Sequence, residues 1–192
     1  MKILITGFEP WGDLSHNPSG GLVASLDGER IGAAEILTAV LSVEYGEDTK
    51  VVFPLIDSEK PAAVLSFGLG ISPCLNVEHV AINLKHDGSA ITDDGPDAYF
   101  ASIPTESVKD AIQAGGVPAK LSYHAGAFLC NHIMYQVIHY TQKRIPSGFI
   151  HLPPTPALAA EQGKGGHSMS LEKMREGAVL AIENLVSFCH NL

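Results

Sequence analysis

Three residues of the chain have the types needed to attack a carbonyl group together: Cys130 in "AGAFLCNHIMY", His151 in "GFIHLPPTP" and Glu78 in "NVEHVAIN". A thiolate is the nucleophile for such chemistry, an imidazole its base, and a carboxylate the group that fixes the imidazole's tautomer. If the helix after "SYHAG" begins near Gly126 or Ala127, the Cys130 sulfur lies in its first turn. Unpaired N–H groups and the positive end of the helix dipole favour a thiolate there, and the same N–H groups suit an oxyanion. Against this, Cys130, Met134 and Ile138 make an ordinary core stripe, and a buried structural cysteine is the commoner case. On the local pattern alone, Cys130 reads as a core residue before it reads as a nucleophile.

A nucleophile needs a base within reach. His132 is nearest in sequence, but residues two apart on a helix point about 200° from each other. His139 lies more than two turns further along the same helix. His151 ends the next strand, and a strand that follows a helix commonly returns beside the preceding strand. Its carboxyl end would then reach the helix N-terminus. Taken singly, a histidine in an apolar strand is more often a satisfied core residue. Glu78 is likewise one acid in an apolar run, where a charge requires a partner. The residues alone leave both readings open.

The elements that must position these groups alternate in type. Apolar, β-branched runs at 2–7, 33–43, 62–68 and 77–84 predict strands, as do "AKLSYH" and "GFIHLP". Nearly continuous apolar character is expected when both sheet faces are covered. Helices are expected at "GLVASL", at "GEDTKVVFPLIDSEK" (a weaker segment, containing Pro54), and at "TESVKDAIQAGG" with Thr105 as N-cap and Gly115 at its end. "AFLCNHIMYQVIHYTQKR" forms a long amphipathic helix. The last helix starts at Ser170, with Met169 and Met174 as a hydrophobic staple across the cap. Between Pro153 and "EQGKGGH" a loop is expected. With no repeat and no linker, residues 1–192 read as a single α/β domain with a largely parallel sheet between helical layers. Ligands in such sheets bind at strand carboxyl ends, here the loops after residues 7, 68, 84, 123 and 151.

Composition narrows the function classes. The 192 residues are 45% hydrophobic and 17% charged, with a net charge of −9 and no Lys/Arg cluster. A nucleic-acid partner is therefore not expected. "MKILITGFEP" is too short in apolar residues for a signal-peptide core, and no apolar run approaches the ~20 residues of a membrane helix. Cys74, Cys130 and Cys189 are odd in number and far apart, which points to free thiols in a reducing, cytoplasmic compartment. Cys74 and Cys189 read as bystanders. The nine histidines include no His-x-x-x-His pair, so no metal is expected. "GLG" (68–70) lacks the third glycine of a nucleotide loop, and "GKGG" (163–166) reads as a flexible lid or solvated turn.

Six ordered segments resemble the pyroglutamyl-peptidase I family of cysteine peptidases: "MKILITGFEPWGDLSHNPS", "VEHVAINL", "GPDAYFASIP", "SYHAGAFLCNHIMY", "GFIHLPPTP" and "SMSLEKM". The resemblance implies Cys130 as nucleophile, His151 as base and Glu78 as orienter. Phe8, Trp11, Asn17, Phe128 and Leu129 would surround the substrate. It further implies a three-layer α/β/α sandwich with a mixed, largely parallel sheet, often assembled as a tetramer, and no metal or organic cofactor. The substrate would be a small peptide with an N-terminal pyroglutamyl residue.

The sequence departs from the family pattern in two places. Leu69 stands where the family usually has Gln, and the 85–97 loop is shortened and holds no Arg. The connection before His151 is also trimmed. These departures keep a second reading open, a divergent member with an altered substrate, or a weakly active or non-catalytic ligand-binding module.

Overall fold

Strand β1 (Lys2–Phe8) shows how the sheet divides the interior. Successive side chains alternate faces, so Ile3 and Ile5 enter one buried cluster while Leu4 and Phe8 enter another. The computed structural model describes residues 1–163 and 166–192. Among these, seven strands lie side by side in the order β2 (Arg30–Ile31), β3 (Ala34–Leu41), β1, β4 (Ala63–Leu69), β9 (Ser147–Leu152), β5 (Leu75–Glu78) and β8 (Ala119–Ser122). Strands β3, β1, β4 and β9 are mutually parallel. Strands β5 and β8 run parallel to each other but antiparallel to β9, and β2 is antiparallel to β3.

Helices α1 (Pro18–Ala24), α3 (Thr105–Ala114) and α6 (Leu171–His190) pack on the face of Ile3 and Ile5. Helices α2 (Glu47–Glu59) and α4 (Leu129–Thr141) pack on the face of Leu4 and Phe8, beside a small hairpin of β6 (Val80–Ile82) and β7 (Ala98–Phe100). The three-layer α/β/α sandwich and its mixed, largely parallel sheet are as expected. In α4, Ile133, Tyr135 and Ile138 are fully buried. At roughly 1.5–3 kcal/mol for each large apolar side chain, this face holds the helix against the sheet.

Several local expectations change. The 77–84 run is not one strand: it breaks at His79, whose N–H bonds Ser122 O (2.7 Å) while its carbonyl accepts from Ala101 N (3.0 Å). Thr105 is the first residue of α3 rather than its cap. Pro104 precedes the helix, and the Thr105 hydroxyl bonds His79 Nδ1 (2.7 Å). Helix α1 begins at Pro18, capped by Asn17, and α4 begins at Leu129 rather than near Gly126. The loop after Pro153 contains a short helix, α5 (Pro156–Glu161). Strand β9 does not return beside β8; it is inserted between β4 and β5. Because β8 runs against β9, the loop after 123 leaves from the sheet edge opposite to those after 7, 68 and 151, while the loop after 84 follows β6, outside the seven-stranded sheet. Ser170 and the buried pair Met169 and Met174 stand at the start of α6 as expected. Of the lid or turn expected at 163–166, residues 164 and 165 lie outside the described residues.

Helix α1 lies almost backbone to backbone on the end of β1, because glycines meet there. A Cβ on Gly7 would stand 2.4 Å from Ser19 O, and one on Gly20 would stand 2.6 Å from Phe8 O. Neither backbone can yield without moving the helix. Gly7→Ala is therefore expected to lower stability by about 1–3 kcal/mol. Gly21→Ala, whose nearest neighbour is a leucine methyl at 3.5 Å, should be neutral or mildly stabilising. Urea midpoints of the two variants measure this, and equal midpoints would contradict the close approach.

Candidate active site

Alternation along β9 turns Phe149 and His151 toward α4, while Ile150 and Leu152 face the opposite core. His151 is flanked in the sheet by Gly68 of β4 and Asn76 of β5. Glu78 sits opposite Phe149, hence diagonal to His151 on the same face, within reach for long side chains. The result is a 2.7 Å bond between His151 Nδ1 and Glu78 Oε1. Glu78 is only 1% exposed, and among the described residues its other oxygen, Oε2, has no hydrogen-bond partner.

Cys130 reaches this ring from the helix side. Gly126, with φ +82°, turns the chain into α4. The first helical bond is His132 N to Phe128 O, 2.9 Å. The N–H groups of Leu129, Cys130 and Asn131 precede it and have no partner within the helix. A Cβ on Gly68 would lie 2.8 Å from Cys130 Sγ. The sulfur thus occupies the space that Gly68 leaves free, directly beside His151 in the β4–β9 register.

The first turn of α4 is fastened on two sides. Asn131 Oδ1 accepts from Ile82 N (2.8 Å), and its Nδ2 donates to Ile82 O (2.8 Å) and Leu84 O (3.1 Å). His132 faces away toward α2, where Nδ1 bonds the buried Asp48 Oδ2 at 2.7 Å. Asp48 in turn accepts from Thr49 N and Gly46 N. His132 is therefore a fastening for the helix, consistent with its poor angle to Cys130.

The electrostatics of His151 follow from these neighbours. Burial disfavours its charged form. Hydrogen bonding and Coulombic attraction to the Cys130 sulfur, and then to Glu78, outweigh that and push its pKa from 6.5 to about 10. A protonated ring against the sulfur is the partner a thiolate needs. With Nδ1 turned to Glu78, Nε2 is the nitrogen left for Cys130.

In front of the pair lies a cavity of about 180 Å³. Phe8, Trp11, Asn17, Phe128 and Leu129 line it together with Cys130 and His151; Glu78 stands behind the ring. Asn17 also serves as a cap, with Oδ1 accepting from Ser19 N and Ser19 Oγ, and Nδ2 donating to Glu9 O. Trp11 and Phe128 meet with ring centroids 5.9 Å apart. Val43, Leu69 and Ala125 complete the lining. Sequence reading did not single out Val43 or Ala125, which are small apolar residues without a chemical signature, and it missed Gly68. The signal for Gly68 was present in "FGLG", a glycine pair ending a buried strand. The basic residues of the shortened 85–97 loop are Lys85 and His86. His86 stacks on Tyr45 and meets Phe128 edge-on, and Lys85 Nζ lies 5.8 Å above the Tyr45 ring. The loop thereby backs the Phe128 wall of the cavity.

Comparison with known proteins finds relatives along nearly the whole chain. The family model described as pyroglutamyl peptidase matches residues 1–187. The pyrrolidone-carboxylate peptidase of Cupriavidus taiwanensis is 36% identical over 96% of this chain and 93% of its own length. That of Coprothermobacter proteolyticus is 38% identical over 95% of each. The pyrrolidone carboxyl peptidase structure from Thermococcus litoralis is similar with a TM-score of 0.93 at 31% identity, covering 99% of this chain and 95% of that one. A mutant enzyme from Pyrococcus furiosus gives 0.92 at 32% identity, over 98% and 99%. With these matches spanning nearly its whole length, the chain belongs to the pyroglutamyl peptidase family.

Proposed function

We propose that this chain is a cysteine exopeptidase that removes an N-terminal pyroglutamyl residue from peptides, with Cys130 as nucleophile, His151 as acid and base, and Glu78 as orienter. The observation that carries the reading is the Glu78–His151 bond backing a ring that faces Cys130 at the wall of a small apolar cavity. About 180 Å³ is below the ~300–1,000 Å³ of drug-sized ligand sites, and suits one uncharged lactam ring. A free α-ammonium group would be stranded between Phe8, Trp11, Phe128 and Leu129, where an unpaired charge is costly.

The steps follow from the groups present. The Cys130 thiolate bonds to the carbonyl carbon outside the ring, and the carbonyl electrons move to oxygen. The free N–H groups at the start of α4 stabilise that oxyanion. On collapse the C–N bond breaks, and protonated His151 gives its proton to the departing amine. Water then attacks the thioester while His151 takes its proton. The C–S bond breaks, pyroglutamate leaves, and the thiolate and charged ring are restored. No cofactor enters these steps.

The same reading takes residues 1–192 as one peptidase domain. Three unpaired cysteines support a reducing, cytoplasmic setting, and the family resemblance supports a homo-oligomer, a tetramer. Among the described residues no helix is long and apolar enough to cross a membrane.

Freshly reduced protein should release the amine from a chromogenic pyroglutamyl amide. Cys130→Ala should abolish turnover, and Glu78→Gln should lower kcat by roughly 10²–10⁴. Absence of turnover in the reduced wild type would sink the proposal.

The charge pair has its own pH signature. His151 should keep its proton through neutral pH and lose it near pH 10. Cys130→Ala and Glu78→Gln should each bring its titration back toward 6.5. Above pH 6.5 the unfolded chain releases a proton that the folded chain still holds. The stability this ring contributes is therefore full below about pH 6.5 and is lost as pH rises through about 10. An NMR titration of the imidazole measures this, and a wild-type ring titrating near 6.5 would exclude the pair.

A further inference from the structure

Trp11 and Leu69 line the small cavity on one side, and beyond them opens a second hollow of about 620 Å³ that the same two residues also line. We propose that this hollow is the subsite for the leaving side of the scissile amide, and that it selects a large apolar side chain on the residue following the pyroglutamyl group. The proposal rests on the peptidase reading and adds its substrate preference.

Direction comes from His151. The departing nitrogen must face the ring that protonates it, so the chain beyond that nitrogen passes on the His151 side. Gly70 lies directly against that side chain: a Cβ there would stand 2.9 Å from His151 Cβ and 3.3 Å from Cγ of the ring. Its N–H bonds Leu152 O at 2.8 Å, tying the ends of β4 and β9 together. Gly70, Ile71 and Pro154, which continue from these strand ends, line the second hollow. A peptide with its lactam in the small cavity and its amide at Cys130 is led over Gly70 into this space.

Chemistry comes from the walls. Leu14, Leu69, Ile71, Pro154 and Ala159 present apolar surface to the hollow. Ile71 is 100% exposed and Trp11 is 51% exposed. Isolated exposed apolar residues are ordinary, but several around one concave space next to a reactive thiol form a site. Polar groups, Asp13 and His167 among them, also line it.

The hollow is also held open. The loop carrying Trp11 and Leu14 is tied to the segment carrying Ala159 through Ser15 N to Glu161 Oε1 (3.0 Å) and His16 Nε2 to Thr155 Oγ1 (2.6 Å). A preformed wall spares the ordering cost that a mobile one would impose on binding.

The test compares kcat/KM for pyroglutamyl-leucine amide and pyroglutamyl-glycine amide in the wild type, Ile71→Ser and Leu14→Ser. Wild type should favour the leucine substrate roughly tenfold or more. Each variant should cut that ratio at least about threefold. A ratio is insensitive to how much of a variant is folded. A wild-type ratio near one, or a ratio unchanged in both variants, overturns the subsite while leaving the peptidase reading intact. Cleavage of neither amide by wild type overturns both.

Discussion

The site depends on one antiparallel register. Strand β5 enters the sheet against the direction of β9, and this sets Glu78 diagonal to His151 on a shared face. A parallel neighbour in that place would stagger the two strands differently. A slip of one residue would turn Glu78 to the opposite core. The 2.7 Å bond to Nδ1 then fixes the ring, leaving Nε2 toward the sulfur. On the other side of β9, the parallel pairing with β4 places Gly68 level with His151. One strand thus has a carboxylate on its antiparallel flank and an absent side chain on its parallel flank, and the sulfur descends into the second.

Much of this was legible in the sequence, and the unread parts share a cause. Strand β1 and the start of α6 are written in local signals, namely a β-branched run ending in glycine and a serine cap between two methionines. The break at His79 is not local. "VEHVAINL" is uniformly compatible with a strand, and the chain divides there because Ser122 and Ala101 claim the His79 backbone from opposite sides. Thr105 misled for the same reason. A threonine followed by glutamate resembles a helix start, but its hydroxyl is taken by a histidine 26 residues earlier. The insertion of β9 between β4 and β5 likewise has no local signature.

The candidate site divides in the same way. Cys130, His151 and Glu78 carry chemistry in their side chains and stand out from apolar surroundings. Gly68 contributes by what it lacks, so "GLG" invites comparison with nucleotide loops when its use is to admit a sulfur atom. Asn131 and Asp48 hold α4 in place without touching the cavity, and only their long-range partners reveal that. Leu69 stood out as a departure from a family pattern. Its position on the wall between two cavities gives that departure a physical setting.

In the mechanism proposed for this site, the neighbours that hold the proton on His151 also let one ring serve as acid and then as base. Before attack the ring has two anionic partners, the sulfur and Glu78, and together they outweigh the cost of burying its charge. In that mechanism thiolate, imidazolium and carboxylate carry one negative charge in excess, and among the described residues Glu78 Oε2 has no hydrogen-bond partner. The nearest compensation is the positive end of α4. Attack carries the sulfur's charge to the carbonyl oxygen, and collapse leaves a neutral thioester. As the C–N bond breaks the ring gives its proton to the amine, and with one anionic partner gone it has less reason to stay charged. Water arrives at a neutral imidazole still aligned by Glu78. Deacylation regenerates the thiolate, and the ring's affinity for the proton just taken from water rises again. That switch rests on a change of charge on one sulfur atom, the one seated over Gly68.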